Sequence, residues 1–338
     1  MDAKKIDFLA IGDIVVDAFI KLQDAHVHCN LDKEGCELCV RFGDKVPYES
    51  VDVIPAVGNS PNAAVCAARL GLKSALMTNV GDDQYGKDCL ARLEEEKVDT
   101  AFVKINKGKR TNYHYVLWYE VDRTILIKHE KFNRKWPDTK EASEYQPPSW
   151  IYFSSLGEDS LPFHKEIALY LKKHPAVKLA FQPGTFQMRF GTKELKDIYA
   201  QTEIFFSNLE EAQRITQKSA GDVLDLAREI SLLGPKMVVL SDGPNGAYLY
   251  LDGELWQIPI YPNIAPPYER TGAGDAFSAT ITAALALGLS PLKAFAWGPV
   301  NGMAVTQKIG AQAGLLTRKE LETYLKKAPA DYEPKKIN

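Results

Sequence analysis

Short apolar runs recur along the chain, with stretches of helical spacing between them. Runs at 8–11, 75–80, 151–153, 178–181, 204–206 and 237–240 have strand length, and residues 62–70, 87–97, 164–173, 209–216 and 223–233 repeat their apolar positions with a helical period. Such alternation predicts an α/β fold, Rossmann-like, with a mostly parallel sheet covered by helices on both faces. In sheets of this kind ligands gather beyond the carboxyl ends of the strands. Two regions break the rhythm. Residues 18–56 form a long segment after the first strand, and residues 101–130 read as strands without helices between them. A structureless loop of that length is unusual in a compact domain, so both segments predict a small β-sheet lid inserted into one domain spanning 1–328. The polar residues 329–338 read as a frayed tail.

Composition narrows the class. The 338 residues are 45% hydrophobic and 25% charged, with a net charge of -3, which gives no electrostatic reason to expect a nucleic-acid partner. No apolar run free of charge reaches the length of a membrane span, and the first residues lack the long apolar stretch of a signal peptide, so the expected location is cytoplasmic. A β lid with exposed strand edges predicts a homodimer formed through the lid.

The chemistry concentrates at Gly272, Ala273, Gly274 and Asp275, followed by an almost unbroken small and apolar stretch, 276–287. Bare backbone at the start of a buried helix leaves N–H groups unpaired where the helix dipole is positive, and anions bind there. A carboxylate at that point can take the proton of a hydroxyl during phosphoryl transfer. It can equally be an ordinary cap. Asn208 and Glu211, after the strand at 204–206, suit phosphate oxygens and a water-mediated magnesium ion, or a plain capping box. Gly58, Asn59 and Asn62 open an Ala-rich helix where glycine admits a ligand and amides read a polyol; Asp17 can accept hydrogen bonds from sugar hydroxyls or serve as a turn residue. Residues 81–88 nearly spell a P-loop, but Asp88 stands where a hydroxyl must reach magnesium and Asp82 and Asp83 would repel phosphate. Three of the five cysteines, Cys29, Cys36 and Cys39, lie close together near His28, a set that allows a structural zinc site, reduced thiols or a redox pair. Cys66 and Cys89, on helices, read as packing residues.

Taken in order, Asp17, Gly58 to Asn62, Gly81 to Asp83 with Gly86, Asn208 with Glu211, Ser241 to Gly243 with Gly246, and Thr271 to Phe277 resemble the ribokinase-like (PfkB) carbohydrate kinases over nearly the whole chain. The resemblance implies transfer of the ATP γ-phosphoryl group to a hydroxyl, with Asp275 as base and the amides of Gly272, Ala273 and Gly274 as anion hole. It implies Asn208 and Glu211 at the phosphates and Mg²⁺, Ser241, Gly243 and Gly246 at the nucleotide, Asn301 at the adenine, and Asp17, Gly58, Asn59 and Asn62 at the sugar. The chain departs from the pattern upstream of the anion hole, where Glu269 and Arg270 replace a common Asp-Thr pair. That Asp helps hold a monovalent cation in many relatives, which makes Glu269 and Thr271 candidate potassium ligands. Arg270 near the phosphate either adds charge or faces solvent. Sugars are the expected acceptors. Tyr113, Tyr115 and Tyr119 alternate along one strand and keep a nucleoside kinase open, since they could stack on a base. A non-catalytic sugar or nucleotide sensor on the same fold is the third reading.

Overall fold

In a computed structural model of the chain, residues 3–29, 36–120, 122–137, 144–218 and 222–338 are described. The strands in chain order begin with β1 (Phe8–Ile11), β2 (Val15–Leu22), β3 (His26–His28), β4 (Glu37–Cys39), β5 (Tyr48–Val57), β6 (Ser74–Gly81), β7 (Val103–Asn106), β8 (Asn112–Tyr119) and β9 (Asp122–Leu126). They continue with β10 (Trp150–Phe153), β11 (Lys178–Phe181), β12 (Thr202–Asn208), β13 (Met237–Ser241), β14 (Ala247–Leu251), β15 (Glu254–Ile258) and β16 (Lys335–Lys336).

The large sheet runs β16-β15-β14-β13-β12-β11-β10-β1-β6-β7. Pairing is parallel from β13 to β7 and antiparallel from β13 outward to β16. Side chains alternate between the two faces as strand geometry requires. Phe8 and Ala10 enter one core, with the helices Asn59–Arg69, Ala273–Ala286 and Pro291–Val305. Leu9 and Ile11 enter the other, with Leu161–Lys173 and Val223–Leu232. The sheet is therefore buried on both sides, which is why its strands read as continuous apolar runs. Between β1 and β10 the direction of strand succession reverses, and crevices at such switch points receive ligands.

The irregular segments build a second sheet, ordered β5-β2-β8-β9. Its register places Asp17 opposite His114 and Ala18 opposite Tyr115, so Asp17 and His114 share one face and Tyr113 and Tyr115 the other. Tyr113 packs on Tyr85 and Tyr115, with ring centroids 4.8 and 5.2 Å apart. The near-P-loop at 81–88 is a structural joint here. Asp83 caps the helix Gln84–Glu95 by accepting from the Gly86 amide at 3.0 Å and holds the Thr111 hydroxyl at 2.6 Å, fixing where β8 begins.

Two expectations are corrected. Residues 329–338 are not a frayed tail: β16 pairs with β15, the Leu255 amide donates to Asn338 Oδ1 at 2.5 Å and Tyr332 donates to the Ala296 carbonyl at 2.7 Å. Backbone and side-chain partners hold the segment despite its polar composition. The zinc set does not assemble either, since Cys29 is bonded to Cys36 and sulfurs joined in a disulfide are not thiolate ligands. His28 sits on the exposed β3–β4 hairpin, and among the described residues no group of three or more His, Cys, Asp or Glu could hold a metal ion. Cys66 and Cys89 are buried packing residues, and burial pushes their thiols up to about 11 and about 12. Among the described residues no helix is long and apolar enough to cross a membrane.

Candidate active site

The helix Ala273–Ala286 buries eight small or apolar residues among its first twelve positions, so its N-terminus is held rigidly by packing. Gly272 caps it in the left-handed region, φ 81°, with Ala311 so close that a Cβ would stand 2.3 Å from that residue's Cβ. Only glycine meets both demands. Gly274, in contrast, faces open space: a Cβ there would meet nothing within 4 Å. The Ala273 amide donates back to the Arg270 carbonyl at 3.4 Å, while the following amides lie in the first turn, where a helix offers no partners.

Asp275 is gripped by three side chains from two segments, a helix and the end of β11. Asn59 Nδ2 donates to Oδ1 at 2.7 Å, Asn62 Nδ2 to Oδ2 at 2.8 Å, and Gln182 Nε2 to Oδ1 at 3.4 Å. Burial pushes the Asp275 carboxyl above its ordinary value, and the hydrogen bonds from Asn62, Asn59 and Gln182 pull it back. The two asparagines come from the helix Asn59–Arg69, whose cap Gly58 has φ 120° and lies against the Asp13 carbonyl. A carboxylate held this way is oriented and its proton affinity is raised, which are the requirements for a general base.

Across the site stands the inner face of the small sheet. Asp17 is buried, and burial pushes its carboxyl up to about 7, with Glu269 adding to the rise and Arg123 opposing it. His114 Nδ1 lies 3.6 Å from Asp17 Oδ1, but burial pushes the imidazole down to about 4, so at neutral pH the contact is not an ion pair. Glu269, 3% exposed, accepts from the Thr271 amide at 2.5 Å and from the Thr271 hydroxyl. Arg123 Nε lies 3.8 Å from Glu269 Oε1. Among the described residues Asp17 Oδ1, Arg123 Nε and Glu269 Oε2 are buried without a hydrogen-bond partner, and buried polar atoms of this kind call for one.

At the carboxyl end of β12, Asn208 and Glu211 form the capping box: the Asn208 amide donates to Glu211 Oε2 at 2.9 Å and the Glu211 amide to Asn208 Oδ1 at 2.8 Å. Burial raises the Glu211 carboxyl, and the nearby Asp275 raises it further. Two carboxylates that repel each other suit a divalent cation, so Glu211 and Asp275 fit magnesium. A cavity of about 340 Å³ adjoins, lined by Ser241, Gly243, Gly246, Tyr261, Arg270, Gly274, Phe277 and Thr306 among others. The three residues expected at the nucleotide thus share it with Gly274 of the glycine run and with Arg270. Asn301 does not. It is fully buried, donates to Thr280 Oγ1 at 2.9 Å and accepts from the Leu316 amide at 2.9 Å, so its polar atoms are engaged in joining helices and the expected adenine contact is corrected.

Three features went unread in the sequence. Gln182 directly follows β11, where the rule of carboxyl ends would have found it. Arg123 reaches the site only through the pairing of β9 with β8, and no local pattern announces that. Asp13 closes β1 and accepts from Arg134 Nη2 at 2.8 and 3.0 Å and from the Gly157 amide at 2.8 Å, while Arg134 also binds Asp159. This buried clamp, with His129 Nδ1 3.2 Å from Asp13 Oδ2, ties the segment after β9 to the switch point.

Comparison with known proteins agrees with this geometry. The chain matches the pfkB family carbohydrate kinase profile over residues 26–318 and belongs to that family. A cytidine kinase of Thermococcus kodakarensis is 30% identical over 65% of this chain and 77% of that protein. A 5-dehydro-2-deoxygluconokinase of Shouchella clausii is 24% identical over 79% and 85%. In fold, the chain is similar to Arabidopsis thaliana ribokinase complexed with ribose and ATP, with a TM-score of 0.78 at 18% identity, covering 96% of this chain and 99% of that one. The chain is thus an ATP-dependent phosphotransferase with a hydroxyl group as acceptor.

Proposed function

We propose that the acceptor is a hydroxyl of a small sugar and that Asp275 is the base that deprotonates it. The observation that carries this reading is the convergence of Asn59, Asn62 and Gln182 on the Asp275 carboxylate at the N-terminus of a buried helix. Asp275 holds the hydroxyl proton while the amides of the glycine run, with Arg270 at the cavity, face the charge that accumulates on the transferring group. Glu211, with Asn208 keeping it in place, would hold Mg²⁺ through water, and the ion would neutralise phosphate charge there. Asp17 accepts from the sugar, Gly58 lets it approach, and Asn59 and Asn62 orient both base and substrate.

A sugar is favoured over a nucleoside because Tyr113 and Tyr115, which could have stacked on a base, lie on the face of the small sheet opposite Asp17. That opposite face is apolar, with Val51, Val53, Tyr115 and Leu126 exposed, and among the described residues β5 and β9 leave both sheet edges unpaired. These features support a homodimer formed through the small sheet.

The test is ADP formation against pentoses, hexoses, ketoacid sugars and nucleosides, with Asp275→Asn as control. Turnover confined to sugars and lowered roughly a hundredfold or more in the variant is expected. Turnover that survives the substitution would remove Asp275 as base, and preference for nucleosides would overturn the choice of acceptor.

A further inference from the structure

The start of the anion-hole run is shaped by one carboxylate. Glu269 bends the chain by accepting both the amide and the hydroxyl of Thr271, two residues before the first amide of the helix. A carboxylate this deeply buried needs a counter-charge. Family resemblance suggests a monovalent cation between Glu269 and Thr271, but the residues do not fit one. An alkali ion needs a cage of oxygens to replace its water. Here Glu269 Oε1 and Thr271 Oγ1 are hydrogen-bonded to each other, which leaves Glu269 Oε2 as the one side-chain oxygen of the pair still open, far short of a cage. A permanent cation already stands beside them, with Arg123 Nε 3.8 Å from Oε1 and only about a quarter of its side chain exposed, at 26%.

The guanidinium arrives from the small sheet. Arg123 on β9 pairs with Trp118 on β8, and Trp118 with Lys21 on β2, so Arg123 lies on the same face as Asp17. Glu269 is close enough to Asp17 to disfavour ionisation of the Asp17 carboxyl, and Arg123 opposes that effect. One guanidinium therefore serves two buried carboxylates, one on the proposed sugar side and one beside the glycine run. Arginine suits this position because it stays charged at every working pH and is more weakly hydrated than an ammonium.

We propose that Arg123 is the built-in counter-cation of the anion-hole run, so that this kinase is not activated by potassium and receives the charge from its small sheet instead. The proposal rests on the assignment of the glycine run as anion hole. Arg123 is a positioning residue in this account: it acts through Glu269 on the turn that presents the amides.

The experiment compares wild type, Arg123→Ala and Arg123→Lys in choline, sodium and potassium chloride at constant ionic strength. ATP affinity by calorimetry is measured beside kcat and the KM of the best acceptor. Wild type is expected to show the same kcat and ATP affinity in all three salts, within about twofold. Arg123→Ala should lose about tenfold or more in kcat and in ATP affinity in choline, recover part of both in potassium or with added guanidinium, and keep its acceptor KM; Arg123→Lys should retain most of the wild-type values. Thermal melts establish that the variants are folded. Severalfold activation of the wild type by potassium would overturn the proposal. So would an Arg123→Ala variant whose loss no cation restores and whose acceptor KM rises, because Arg123 would then be a substrate contact. Failure of the anion-hole assignment looks different: ATP affinity would then be unmoved by Gly274→Ala, whatever Arg123 does.

Discussion

Asp17 is a buried carboxylate and Asp275 a half-buried one, both have raised proton affinity, and their neighbours give them different work. Asp275 has three amide donors that favour its ionised form, whereas Asp17 Oδ1 has no hydrogen-bond partner and faces a second carboxylate. As the proposed base, Asp275 acts deprotonated, so kcat/KM should rise with pH through a limb lying above the ordinary carboxylate range, and that limb should vanish in the residual rate of Asp275→Asn. A limb at the ordinary carboxylate value would contradict the buried environment. For Asp17 the consequence reaches stability. Between its unfolded value of 3.8 and about 7 the folded chain binds a proton that the unfolded chain releases, so the group's contribution to stability falls as pH rises through that window. Asp17→Asn should therefore unfold at higher denaturant than wild type at pH 8, by about 4 kcal/mol, and show little difference below pH 4, at ~1.4 kcal/mol per unit of displaced pKa. The same variant should bind its acceptor far more weakly. A variant less stable than wild type at pH 8 would mean that Asp17 is satisfied in the ground state.

At the scale of elements, the helix Ala273–Ala286 separates two reasons for glycine. Gly272 is required by the protein, through a left-handed φ and the approach of Ala311; Gly274 is required by nothing in the protein. Gly272→Ala should cost about 2 kcal/mol or more in urea unfolding, from strain and overpacking together. Gly274→Ala should leave stability within ~0.5 kcal/mol, since alanine is the better helix former, yet weaken ATP binding about tenfold by standing where phosphate approaches. Full ATP affinity in Gly274→Ala would remove that amide from the anion hole. This division also explains what the sequence disclosed. The run was legible because buried small residues, a left-handed cap and an acid leave a compact local pattern. The strands of the large sheet were legible too, since burial on both faces makes them unbroken apolar runs, and residues 178–181 and 209–216 coincide with their elements to the residue. Arg123 was not legible, because its role depends on strand register across the small sheet. Asn301 misled for the converse reason: its position suggested a ligand, and only the packing of three segments shows that its polar atoms are engaged. A polar tail likewise conceals an edge strand when its partners are backbone groups of β15.

For the molecule as a whole, the small sheet faces two ways and must satisfy both. Its inner face carries Asp17, His114 and Arg123 over the site; its outer face leaves Val53 and Tyr115 with 50% and 48% of their surfaces exposed beside Val51 and Leu126. A contiguous apolar face on a sheet with two open edges is costly in water and prone to pairing. A second copy of the same sheet would cover face and edges at once, and closed two-fold pairing is the commonest way for identical surfaces to meet. The chain should therefore sediment as a dimer at micromolar concentration. Val53→Asp, which places a charge on the edge strand of the apolar face while leaving every active-site residue in place, should shift it to monomer. Because the same strands position Asp17 and Arg123, losing the partner should raise the acceptor KM more than it lowers kcat, and raising the protein concentration should partly restore it. A wild-type chain that sediments as a monomer across that range would show that the apolar face has another function, and a monomeric Val53→Asp with unchanged KM would show that the inner face holds its geometry without help from a partner.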